Sequence, residues 1–117
     1  MPVFLSVFIG GGAGAVARWL ICSKITSHWG TMLVNVIGAF LIGCAYGYFQ
    51  KHFSDDITLK SFVMTGLLGG FTTFSTYLLN FETLLNTRQY TDAFLYLTGS
   101  IVIGLIALAA GIKISPV

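Results

Sequence analysis

A chain of 117 residues that is 56% hydrophobic and only 9% charged, with a mean hydropathy of +0.87, cannot cover a globule with a water-facing surface. Soluble domains carry roughly a quarter charged residues, so lipid must be the solvent for most of this surface. Six Lys/Arg against four Asp/Glu leave a net charge of +2, too small and too scattered for nucleic-acid binding.

The first apolar segment covers residues 3–22. No basic residue precedes it, and its apolar character continues past Ala15-Val16-Ala17 to Cys22, so it is expected to be a retained span rather than a cleaved leader. Its run Gly10-Gly11-Gly12-Ala13-Gly14-Ala15 matches a loose nucleotide fingerprint but lacks the strand–turn–helix context that motif needs. Arg18 is the only charge inside it, placed either to snorkel to the interface or to act at a mouth or in packing. A polar break over 23–31 carries Lys24, His28 and Gly30, and a second span follows over 32–50. Within that span Asn35 shares a helix face with Gly38, Ala39 and Ile42. An amide in lipid costs free energy unless it bonds something, so Asn35 is interhelical glue or pore lining.

After a second polar break at 51–56, the third segment runs over 58–85, and a fourth over 92–112 follows the break at 86–90. Roughly 20 apolar residues cross a bilayer as a helix; the third segment exceeds that by about a third, and its middle is polar. There, Gly69-Gly70-Phe71-Thr72-Thr73-Phe74-Ser75-Thr76-Tyr77 pairs glycines with a hydroxyl run that makes a poor lipid-facing helix. A broken third helix is predicted, tolerable at membrane depth only where protein or a polar cavity satisfies the freed backbone. Free carbonyls at such a break can bind a hard cation. Beyond it, helical spacing aligns Thr73, Thr76, Asn80, Thr83 and Thr87 in one stripe and Phe74, Tyr77 and Phe81 in another beside it. Such a pair of stripes suits an aqueous pathway; the alternative is that each hydroxyl bonds back to its own helix. The fold class is therefore an all-α integral membrane protein of four transmembrane helices with the third broken.

Lys51, Lys60 and Lys113 on the side of the termini, partly offset by Asp55 and Asp56, face Arg18, Lys24 and Arg88 on the other, which gives no orientation signal. Dual topology, with assembly as an antiparallel two-fold dimer, is the simplest arrangement such a balance allows. Small-residue pairs Gly10/Gly14, Gly43/Gly47, Gly66/Gly70 and Ala107/Gly111 predict close helix contacts. Cys22 and Cys44 lie in apolar runs and are expected to be reduced. Neither histidine, His28 or His52, falls within a span, and no nucleophile–base set suggests an enzyme.

Asn35 in its setting, Arg18 after a glycine-rich start and, above all, Gly69-Gly70-Phe71-Thr72-Thr73-Phe74-Ser75-Thr76 resemble the Fluc/CrcB fluoride channels, over essentially the whole chain. The resemblance implies an antiparallel dual-topology homodimer in the bacterial plasma (inner) membrane, passing fluoride passively out of the cell through two pores. It implies a structural, untransported Na+ at the dimer centre, held by carbonyls of Gly69 and Thr72, stacked pore aromatics at Phe74 and Tyr77, a hydroxyl track at Ser75 and Thr76, and a pore amide at Asn35. Fluoride enters acid-exposed cells as neutral HF and ionises inside, so an anion-selective leak protects the cytoplasm. Fluoride is tightly hydrated, and amide, hydroxyl and aromatic-edge donors are suited to replacing its water.

Three positions depart from the family pattern: Tyr77 where Phe is usual, Asn80 where Glu is usual, and Leu108 where a span-4 hydroxyl is expected. They leave open that the chain is the less active half of a heterodimer with a related subunit. A small dual-topology multidrug exporter has similar dimensions, but needs an acidic residue in span 1, where this chain has Arg18.

Overall fold

The computed structural model describes residues 1–52 and 56–115, all helix, turn or extended connection, with no strand among them. Part of the second polar break, residues 53–55 with Asp55, lies outside the described residues. Four helices are long and apolar enough to cross a membrane: Val3–Lys24, His28–Lys51, Ile57–Asn86 and Tyr90–Ile114. The chain is thus a multi-pass membrane protein. Its long dimension, 49 Å, spans a bilayer of about 40–45 Å including headgroups.

Helix α1 (Val3–Lys24) begins after an extended Pro2, whose missing N–H costs nothing at a helix start and whose carbonyl accepts from Leu5 and Ser6. Its buried residues are only Ser6, Gly10 and Gly14, one turn apart. That stripe of small residues meets the first half of the third span. Gly66 approaches Gly10, Gly70 approaches Gly11, and a methyl on Gly14 would overlap the Leu67 carbonyl. In lipid, where apolar area gives no drive to associate, this backbone-to-backbone approach supplies the packing.

Helix α2 (His28–Lys51) starts four residues before the predicted span, so His28 and Gly30, expected in the break, are helical. Hydropathy falls at the interface while backbone hydrogen bonding continues, and Gly30 leaves room for the Ile25 carbonyl folded over it. α2 pairs with the last helix, α6 (Tyr90–Ile114), through a second glycine seam. Gly43 lies on the Leu108 carbonyl, Gly111 on the Phe40 carbonyl, and Gly47 under Ser115, whose hydroxyl donates to Cys44 O at 2.9 Å.

The third span is four pieces. A short α3 (Ile57–Lys60), capped by Asp56 Oδ1 on the Leu59 amide at 3.0 Å, runs into a π-helical stretch, Ser61–Leu68, and then α4 (Gly69–Phe71). The chain turns extended at Thr72 (φ −94°, ψ 158°) and resumes as α5 (Ser75–Asn86). The paired glycines are therefore helical and the interruption comes after them. Gly70 is used for contact with α1, not for conformational freedom. Arg88 alone among the described non-glycine residues has a positive φ, 61°, closing the α5–α6 turn. Both cysteines are free thiols.

Candidate functional site: the polar break of the third span

The break is held by a side chain from another helix. Asn35 of α2 donates from Nδ2 to Thr73 O at 3.0 Å and accepts the Thr73 amide on Oδ1 at 2.9 Å. Both backbone groups of one residue are thereby satisfied at membrane depth, where leaving them bare costs several kcal/mol each. Thr73 Oγ1 accepts the Thr76 amide at 3.3 Å and so caps α5, with Ser75 Oγ at 3.5 Å. Thr72 Oγ1 donates back to Leu68 O at 3.1 Å, and its methyl sits where a Cβ on Gly38 would be.

In a continuous helix the Thr73 amide would close on Gly69 O and the Thr76 amide on Thr72 O. Here those amides go to Asn35 Oδ1 and Thr73 Oγ1. The carbonyls of Gly69 and Thr72 thus lose their helical donors, and hard carbonyl oxygens of this kind suit a cation such as Na+.

A cavity of about 390 Å³ opens beside the break, between α2 and α6, with Asn35, Thr73, Phe74, Tyr77 and Ser100 on its wall. The rings of Phe74 and Tyr77 stand 6.0 Å apart at 41°, with Phe74 70% exposed and Tyr77 buried. The Tyr77 hydroxyl points away from Phe74 into α6, donating to Leu97 O at 2.5 Å. Asn80 turns inward as well, its Nδ2 reaching Thr31 Oγ1 at 3.1 Å and Tyr96 Oη at 3.2 Å. Ser75 is exposed and Thr76 half-buried. Thr73 also lines a smaller cavity, about 230 Å³, with Arg18, Cys22, Thr31 and Thr76. Arg18 Nε is buried there without a hydrogen-bond partner.

The polar stripe along α5 divides. Thr73, Thr76 and Asn80 serve the break and the bundle, whereas Thr83 and Thr87 donate to Leu79 O and Thr83 O of their own helix. Leu108 lies elsewhere, in an apolar cleft with Tyr46 and Met64. The hydroxyl that α6 brings to the cavity is Ser100, two turns earlier, and its buried Oγ has no partner. Sequence reasoning missed Ser100, Tyr96 and Thr31. The available signal was that Tyr96 and Ser100 sit one turn apart on one face of the fourth span.

Hydroxyls, an amide and aromatic rings gathered at an interruption of one helix define a multi-pass helical membrane protein with a polar break among its spans. The sequence matches the CrcB-like proteins, described as camphor resistance (CrcB), over residues 5–112. A protein of Hahella chejuensis named fluoride-specific ion channel FluC is 35% identical, over 98% of this chain and 95% of its own length. Proteins of the same name from Phocaeicola vulgatus (38%, covering 98% and 99%) and Pectobacterium atrosepticum (42%, covering 90% of each) are similar. The chain belongs to the CrcB family, whose members named here are ion channels and not enzymes.

Proposed function

We propose that this protein is a fluoride-selective channel that lets cytoplasmic fluoride leave a bacterial cell through the plasma membrane, down its own gradient. The observation that carries the reading is the break held by Asn35, with a largely apolar cavity beside it in which the few polar groups converge on Asn35, Thr73 and Ser100. The Ser100 hydroxyl there has no partner, and Asn35 Nδ2 keeps a second hydrogen beyond the one given to Thr73 O. The rings of Phe74 and Tyr77 on the same wall add electropositive edges, and Ser75, exposed beside the break, and Thr76, on the neighbouring cavity, add hydroxyls nearby. Arg18, which lines a second cavity with Thr73, contributes positive potential.

The working unit is an antiparallel, dual-topology homodimer. Ser75 and Phe74 are exposed at the break, and a hydroxyl facing lipid at that depth is unfavourable unless a second copy covers it. A structural Na+ fits the same assembly. Gly69 O and Thr72 O of one chain supply two oxygens, too few for a hard cation, and a two-fold partner doubles them. When bound, the ion adds fixed positive charge between the anion pathways. At Tyr77 and Asn80 both side chains find partners within their own chain, so neither departure leaves an unpaired polar group to obstruct conduction by the homodimer.

Liposomes loaded with fluoride or with chloride and carrying this protein alone test the proposal. Fluoride is expected to leave on addition of a potassium ionophore while chloride stays. Equal release of both, or release of neither by well-folded protein, refutes it.

A further inference from the structure

His28, the first residue of α2, lies outside the break yet forms the outer wall of a residue that serves it. Its ring is 4.5 Å from Trp29 and meets Tyr96 edge-on at 5.0 Å and 81°. Tyr96 has no exposed surface, takes the Asn80 amide on its hydroxyl at 3.2 Å, and stands 5.2 Å from the Tyr77 ring. His28 Nε2 is buried and has no hydrogen-bond partner.

We infer that His28 is a positioning residue: its neutral imidazole clamps Tyr96 against Asn80 and Tyr77, and protonation releases the clamp. The inference rests on reading the break as an anion pathway. An imidazolium presents donors at both nitrogens, and this site offers Nε2 no acceptor. The surrounding groups do not supply one. From α1 come Cys22, close enough to act on the Tyr96 hydroxyl, Arg18, which shares a cavity with Cys22 and Thr31, and Lys24 in the last turn, none of which is an acceptor paired with Nε2. From α5 comes Asn80, which does not titrate, and from α6 Tyr96 itself; Asp92, one turn earlier, does not reach Nε2. The positive end of the α2 dipole opposes a cation at its first residue. A protonated ring therefore turns out to water, and Tyr96 loses the wall that orients its hydroxyl and ring.

The test uses the full-length protein in liposomes, with His52→Gln in every sample so that His28 is the one histidine, and protein-free vesicles as the blank. Fluoride efflux is compared at about pH 7.5 and about pH 5.5, an interval in which imidazole is the side chain whose charge ordinarily changes. Wild-type flux is expected to fall at least about threefold in acid. His28→Phe keeps a ring without a titrating nitrogen, so its flux stays within about twofold of wild type at both values. His28→Ala loses flux at both. A second readout needs no transport: with Trp19→Phe, Trp29 fluorescence changes on acidification as the imidazole leaves its contact with the indole, and the change disappears in His28→Phe. Acid loss that persists in His28→Phe, full flux in His28→Ala, or a wild type indifferent to pH overturns the role of His28 alone. No wild-type fluoride flux at either pH refutes the channel reading, and the positioning role falls with it.

Discussion

Ser100 and Tyr77 separate two reasons for a polar group to lie inside a membrane bundle. Ser100 Oγ is buried and bonds nothing, so its removal frees a desolvated hydroxyl from a cost of about 1–3 kcal/mol. Ser100→Ala is expected to leave the thermal midpoint in detergent unchanged or raised while lowering fluoride flux several-fold; a loss of stability with normal flux would assign the serine to packing. Tyr77 is the opposite case. Its hydroxyl is already engaged by Leu97 O, on the far side from Phe74. Hydrogen bonds between membrane helices average about 0.6 kcal/mol, so Tyr77→Phe is expected to be nearly silent in efflux assays. Phe74→Ile removes the electropositive ring edge and should abolish flux; robust efflux from that variant would displace Phe74 from the pathway.

The elements meet along two glycine seams, and the glycines in them are not equivalent. A Cβ on Gly14 would overlap the Leu67 carbonyl, whereas nothing lies within 4 Å of one on Gly104 or Gly12. Overpacking of this kind costs about 1–3 kcal/mol, and both neighbours at Gly14 are backbone that cannot turn aside. Gly14→Ala is thus expected to lower the unfolding temperature and broaden the size-exclusion peak, and Gly104→Ala to leave both as they are; equal effects would refute the seam as the source of α1 docking. The small-residue spacing in the sequence did announce close contacts for α1, α2, the third span and α6. It did not say which glycine faces which carbonyl, because periodicity assigns a face and not a partner. The same limit explains the third span. Its length and hydroxyl content foretold an interruption, but the glycines that appeared to cause it stay helical, and the turn falls at Thr72, where Asn35 is in place to receive the Thr73 backbone.

At the scale of the whole molecule, a body 49 Å long and 19 Å thin carries its polar break close to an outer face. Two consequences of the proposed dimer can be measured. Single cysteines replacing Gln50 and Thr87, in a background lacking Cys22 and Cys44, lie at opposite ends of the spans; each is expected to react from both sides of the membrane in separate subpopulations. Uniform labelling from one side would show that the small charge imbalance suffices to orient the chain. Replacing Na+ by a large organic cation during purification and assay is expected to reduce fluoride flux and weaken the dimer, because the carbonyls of Gly69 and Thr72 would then lack their shared partner. Unchanged flux and unchanged dimer in Na+-free buffer would exclude a structural ion.

The sequence by itself determined the membrane class, the four helices, the long and polar third span and the small-residue seams. These follow from composition, run length and spacing, which are local properties that sum along the chain. The tertiary structure decided what each polar side chain does. Asn35 meets Thr73 across 38 positions of sequence, Asn80 meets Thr31 across 49, and Ser100 joins the cavity of Asn35 and Thr73 from a helix that hydropathy marks as the most apolar of the four. Whether an amide or hydroxyl at membrane depth closes a backbone break, fills a bundle or remains free for an anion depends on what the opposing helix presents. That is settled only when the helices pack.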